Sequence, residues 1–253
     1  MKYDSIAEAY VSMLVQPLHE ANTAQKLADR TPDIESLLQS NKVHEKEAAF
    51  YHKDLNDGHI KRLLAEPSMA LRTNVFHPTR SFITPEHIDL GLKDSAYQVR
   101  LAAIRHPNAN AKNISTALND EDERVRRSAL HGDSVNNEHI ERGLSDKHLS
   151  VRQAAVYHPN ANSENIVRAL RDPHASVRLE AILHPNSDGS HVEIAIKDQN
   201  VNVANAAVSH PAATKDQMLR AMNVKRLGSM TNKLTAFNKH PKFNQYFPTG
   251  RIE

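Results

Sequence analysis

The chain has 253 residues, 39% of them apolar and 25% charged, with a formal net charge of +2. That balance suits a folded soluble protein and fits neither a disordered chain nor one built to cross membranes. With no Cys and no Trp, seven Gly and 5% aromatics, disulfide frameworks, thiolate metal sites, cysteine nucleophiles and glycine-rich phosphate loops are excluded or disfavoured. The composition predicts a cytoplasmic protein without cofactor or metal.

In chain order, residues 1–29 read as one or two capping helices with a break at Pro17. The apolar stretch from Val11 to Leu18 is too short for a membrane span. From residue 30 the sequence becomes periodic, which governs everything after it. Ile34, Leu38, Ala48-Ala49 and His52 form a first unit without the later Arg; Asn56, Ile60, Leu64, Glu66, Leu71-Arg72 and His77-Pro78 form a second. A strict period of 26 follows. Val-Arg pairs stand at Val99-Arg100, Val125-Arg126, Val151-Arg152 and Val177-Arg178. Asp94, Asp120, Asp146, Asp172 and Asp198 keep the same register, as do Ile88, Ile114, Ile140, Ile166 and Val192. Each unit predicts two short helices. Thr84, Asn110, Asn136, Asn162, Asp188 and Thr214 are N-cap residue types four positions before the first apolar residue. Thr214 with Gln217 fits a capping box. A second helix starting near the periodic Asp carries small residues such as Ala102-Ala103 and Ala154-Ala155, and stops at His106-Pro107, His158-Pro159, His184-Pro185 and His210-Pro211. Thr214, Met218 and Met222 open a last unit reaching His240-Pro241, and residues 242–253 read as a basic tail.

Helices this short are unstable alone and must stack. The predicted fold is therefore all-α: a right-handed α-solenoid of about eight two-helix repeats over residues 30–241. The spacing of Asp, then Val-Arg five and six residues later, then Ala resembles HEAT repeats. The short unit with its His-Pro-Asn ending is similar to the leucine-rich repeat variant. Such a resemblance implies a binding scaffold of unspecified partner. An iron–sulfur cluster known in one leucine-rich-repeat-variant protein cannot carry over to a chain without Cys.

The Arg ladder of Arg72, Arg100, Arg126, Arg152 and Arg178 invites a phosphate-binding reading. A structural one is favoured, because each Arg follows an acidic residue by six positions: Glu66, Asp94, Asp120, Asp146 and Asp172. In HEAT-type repeats that pair braces the turn, the guanidinium fork serving carboxylates and loop carbonyls. The periodic His are one repeat apart, too far to share a metal, and read as helix C-terminal residues. The acidic run from Asp120 to Glu123 reads as a solvated turn.

The second helices carry the variable positions. Arg105, Arg124, Arg127 and His131, with Tyr157 adjacent, form a modest basic patch and are the candidate partner-binding residues. Lys225 to Arg251 combines basic residues with Phe237, Phe243, Tyr246 and Phe247, read either as a nucleic-acid contact or as an end cap. No nucleophile–base set rises above background. The expected function is non-enzymatic: a scaffold presenting its second helices to a protein partner. The alternatives are a nucleic-acid-binding solenoid resembling HEAT-like DNA glycosylases, though without their Trp, or a structural subunit of an assembly, a virus particle included.

Overall fold

The structure, a computed structural model, describes residues 23–31, 33–222 and 235–248. The expectations for residues 1–22, for 223–234 and for the end of the tail lie outside these. Among the described residues every regular element is a helix. The helices pair as hairpins, and the hairpins group into two compact units, residues 1–109 and 110–253.

In the first unit Ile34–Leu38 precedes Val43–Ala48, Asp57–Leu64 pairs with Met69–Val75, and Pro85–Gly91 pairs with Tyr97–Ile104. In the second, Ala111–Ala117 pairs with Glu123–Ala129, Asn137–Leu144 with Leu149–Tyr157, Ser163–Ala169 with Ala175–Leu183, and Gly189–Ala195 with Val201–Ser209. Lys215–Met222 and the turn Phe243–Tyr246 follow. Within the second unit, first helices pack on neighbouring first helices and second helices on second helices. The result is the helical-repeat stack the period calls for.

Each first helix starts where its cap residue stands. Asn56, Thr84, Asn110, Asn136, Asn162 and Asp188 have extended backbones, and their side chains accept the N–H three residues on. That third residue returns the bond. His59, His87, Asn113, His139, Asn165 and His191 each accept the N–H of the cap residue, as Gln217 does for Thr214. The reciprocal box foreseen only at Thr214 thus recurs in unit after unit.

The second helix begins three residues after the periodic Asp, not at it. The Oδ1 atoms of Asp94, Asp120, Asp146, Asp172 and Asp198 accept the N–H of Ala96, Asp122, His148, His174 and Asn200 at 2.7–2.9 Å, and those residues are the caps. At the other end His158, His184 and His210 are extended, as the following proline requires.

The core is the set of periodic apolar positions. Ile88, Ile114, Ile140, Ile166, Val192 and Met218 are wholly buried, and so are Val99, Val125, Val151, Val177 and Val203. Each contributes roughly 1.5–3 kcal/mol relative to exposure. Small residues set the spacing between the two helices of a pair. Ala103, Ala129, Ala155, Ala181 and Ala207 are fully buried on the second helix. The first helices carry a buried row of Gly91, Ala117, Gly143, Ala169, Ala195 and Ala221, in which Gly91 faces Ala103 and Gly143 faces Ala155. A Cβ on Gly143 would lie 2.7 Å from Ala155 Cβ and 2.8 Å from Leu130 Cδ1, so this hairpin closes only around glycine.

The C-terminal aromatics fold inward. Phe237, Phe243 and Phe247 are buried, and the Tyr246 ring stacks on His240 with centroids 5.5 Å apart. Burial of the three Phe rings agrees with the end-cap reading of the segment, part of which lies outside the described residues.

Candidate functional site

Three periodic side-chain systems join successive repeats, and what they leave exposed defines the site. The first is the Arg ladder, in which the structure corrects the expected pairing. Arg152 Nε and Nη2 donate to Asp172 at 2.6 and 3.2 Å, and Arg178 donates likewise to Asp198 at 2.6 and 2.9 Å. Arg126 pairs with Asp146, and Arg72 with Asp94. The carboxylate partner therefore belongs to the following repeat, 20 or 22 residues on. Toward the acidic residue six positions back the same guanidinium uses Nη1, donating to a backbone carbonyl: Glu66, Asp94, Asp120, Asp146 and Asp172 accept in turn from Arg72, Arg100, Arg126, Arg152 and Arg178. One Arg thus ties its own inter-helix turn to the next one. Lys46, 26 residues before Arg72, holds both Glu66 oxygens at 2.7 Å and is the rung thought missing from the first unit.

These pairs are nearly closed to solvent, and the electrostatics follow. Burial raises the carboxyl pKa of Asp94, Asp146 and Asp198, but the bonds from Arg72, Arg126 and Arg178 and from a backbone N–H outweigh it and hold each below the usual range. With both faces of the guanidinium committed, these Arg do not form a phosphate-binding stripe.

The second system is the His-Pro-Asn ending. Nδ1 of His52, His106, His158, His184 and His210 accepts the N–H two residues on at 3.1–3.2 Å. A nitrogen accepting that bond carries no proton, so the ring hydrogen sits on Nε2. His106 Nε2 donates to the Arg80 carbonyl and His184 Nε2 to the His158 carbonyl, both 3.2 Å away and 26 residues back. His52 reaches Thr31 O at 3.0 Å. The C-terminal position foreseen for these rings is right, but where Nε2 finds a partner, in His52, His106 and His184, that partner precedes the repeat rather than lying in its own helix. The Asn two places on helps: Asn108, Asn160 and Asn186 donate through Nδ2 to the carbonyls of Ile83, Val135 and Ala161. Burial lowers the pKa of His106, His158 and His210. Gly132 stands at the His position of its unit and has no ring for this bond.

The third system uses the outer nitrogen of the box residues. His139 Nε2 meets Ser115 Oγ at 2.8 Å, His191 Nε2 lies 3.1 Å from Ser163 O, and Gln217 Nε2 donates to Gly189 O at 3.0 Å. In the first unit His87 Nε2 lies 2.8 Å from Asp57. Among the described residues no cluster of His, Asp and Glu is arranged to hold a metal ion.

Arg80, which the sequence reading passed over, is a buried arginine in the longer connection where the period stretches from 26 to 28 residues. Its guanidinium lies 4.1 Å from the Phe50 ring centre and donates to the Asn74 carbonyl and Oδ1, and burial lowers its pKa to about 10.

What remains exposed is the outer side of the second helices. Of the five candidate binding residues, Arg105 ends the helix Tyr97–Ile104 of the first unit, and the other four belong to the second. Arg124 turns back onto Asp122 with bonds of 2.9 and 2.6 Å, closing the first turn of its own helix. Arg127, His131 and Tyr157 come together, lining a hollow of about 320 Å³ with Ser150, Gln153 and Glu180. Tyr157 also forms one wall of a larger hollow of about 640 Å³, walled by Pro159, Leu179, Leu183 and Pro185 and touched by Ser176, Glu180 and His184. Across Leu183 and Pro185 a third hollow of about 440 Å³ continues to Ser209 and Pro211. Shared walls make the three one groove. Tyr157 is 70% and Leu183 62% exposed, large apolar surfaces left open to solvent. Leu183 occupies the variable position just before His184. A leucine where the neighbouring units carry Tyr157 and Ser209 was the available signal for it. No protein family matches the chain, and no curated protein matches it either.

Proposed function

We propose that the chain is a non-catalytic helical-repeat scaffold that holds a segment of a protein partner in the second-helix groove of residues 127–212. One observation carries this reading: three adjoining hollows lie along the exposed side of successive second helices, with Tyr157 and Leu183 between them. Their walls favour one class of occupant. Leu179, Leu183, Pro159, Pro185 and the Tyr157 ring favour apolar side chains, and about 640 Å³ accommodates one or two of them. Arg127 at one end suits an acidic residue of the partner. A nucleic-acid duplex or strand would need several cations along the groove, and the ladder Arg are spent on Asp. Stacked helical repeats form extended binding surfaces of this kind. The absence of a spanning helix among the described residues agrees with a partner met away from the bilayer core.

The test is affinity capture from the source cell with the unaltered chain and with Leu183→Asp, whose side chain is exposed and whose fold should survive. Proteins retained by the first and lost by the second, through washes at high salt, support the reading. Identical captured sets would refute it. Retention of nucleic acid that falls steeply with log salt would replace it by the nucleic-acid alternative.

A further inference from the structure

The geometry points to a pH-sensitive clasp beneath this groove: His158, His184 and His210 fasten the turns that follow their second helices while their rings are neutral, and mild acid opens those turns. The floor of the two apolar hollows is built from His184-Pro185 and His210-Pro211, with Pro159 beside Tyr157. Each of the three rings receives a backbone N–H at Nδ1, from Asn160, Asn186 and Ala212 at 3.1, 3.1 and 3.2 Å. A proton added there removes the acceptor and sets an N–H against an N–H. Nε2 keeps its proton in either state, so the His184 bond to the His158 carbonyl is not what acid breaks. Loss of the Nδ1 bonds instead loosens the His-Pro turns that line the two apolar hollows.

The surroundings oppose rather than invite the proton. His158 faces His131, Asp133 and His184, and His210 faces His191, Asp188 and His240. Around each ring one carboxylate is thus set against two imidazoles. Burial, the largest influence on His158 and His210, lowers both. A histidine with a lowered folded pKa binds fewer protons folded than unfolded. Stability therefore rises with pH across the window from that folded value up to the free value of about 6.5, and falls as pH drops through it.

The molecule supplies its own control chemistry. At the box positions Gln217 replaces His191, its Oε1 accepting the cap N–H and its Nε2 donating to the previous repeat. An uncharged amide can thus do both jobs of a neutral ring without titrating.

The experiment follows amide hydrogen exchange of Asn160, Asn186 and Ala212 in the full chain between about pH 7.5 and about pH 5.5, corrected for intrinsic rates. Protection at these three amides is expected to fall together, by up to about tenfold per pH unit, while the helix-interior Ile166 amide keeps its protection longer. In the triple variant His158→Gln/His184→Gln/His210→Gln the protection should not depend on pH. Should that variant fail to fold, ¹⁵N shifts of the three rings in the unaltered protein decide. All three rings in the Nε2–H form, with His158 and His210 titrating below free histidine, support the clasp. An Nδ1–H form, titration of His158 and His210 at or above the free value, or pH-independent protection in the unaltered protein overturns it. The role of the clasp in releasing a partner rests on the groove reading, but this test needs no partner, so either can fail alone.

Discussion

The Arg–Asp bonds make a quantitative claim that a double-mutant cycle can test. Asp172 stands between two arginines: Arg152, from the preceding repeat, donates to both its carboxylate oxygens at 2.6 and 3.2 Å. Arg178, six residues after it, donates only to its backbone carbonyl at 2.8 Å. The side chains of Arg152 and Asp172 are 13% and 5% exposed, so their pair is shielded well beyond a surface ion pair. Hydrogen bonds to charged groups are worth about 1.5–3 kcal/mol, and a buried charge left alone costs about 3–5 kcal/mol. Asp172→Ala and Arg152→Ala should therefore each destabilise by about 3 kcal/mol, with a coupling of about 2–3 kcal/mol in the double variant. The Asp172–Arg178 cycle should give well under 1 kcal/mol, because a peptide carbonyl survives truncation of its own side chain. Urea unfolding followed by circular dichroism at neutral pH measures both. If the Arg178 cycle shows the larger coupling, the ladder braces turns within repeats and the inter-repeat pairing is refuted. If neither couples, the Arg is held by carbonyls alone.

Other expectations follow from the same geometry. Gly143→Ala should destabilise by about 1–3 kcal/mol although alanine gains about 1 kcal/mol in helix propensity, because its Cβ meets Ala155 and Leu130; urea midpoints would show it. His139→Asn should remain within about 1 kcal/mol of the parent at neutral pH, since Asn113 and Asn165 make the same box, whereas His139→Ala leaves the Asn136 N–H without its acceptor and should cost about 1–3 kcal/mol. Asp94, Asp146 and Asp198 have lowered folded pKa values, so the unfolded chain takes up their protons first. Their contribution is present above the ordinary aspartate value near 3.8 and is lost as pH falls through the lowered ones. A second, steeper loss of stability should then appear below about pH 4 in melting curves and be reduced in the variant Arg126→Met/Asp146→Leu.

What could be read from the sequence, and what could not, divides along one physical line. Core positions recur as the same residue types, so Ile88 to Val192 and Val99 to Val203 revealed the period, the hairpin and the inward faces before any coordinates. Polar positions recur as the same hydrogen-bond geometry, which several residue types satisfy. His87, Asn113, His139, Asn165, His191 and Gln217 all accept a cap N–H, yet the letter changes from each unit to the next, and the row went unseen. Lys46 escaped for the same reason, an ammonium standing where later units use a guanidinium. The direction of the Arg ladder was hidden differently. In a chain with an Asp every 26 residues, an Arg six residues after one Asp is necessarily 20 before the next, and spacing alone favours the nearer. Three dimensions reverse the choice, because the near carboxylate folds onto its own turn at Ala96, His148 or Asn200 while the far one points back across the stack. The groove shows the same limit. Tyr157 announced itself as an aromatic on a variable face, but the depth beside it comes from Pro159 and Pro185, residues whose evident task was to end helices. Periodicity thus locates what every repeat shares, and a binding site lies where one repeat departs from its neighbours: a leucine at 183 and a tyrosine at 157, above histidines that all the later repeats need.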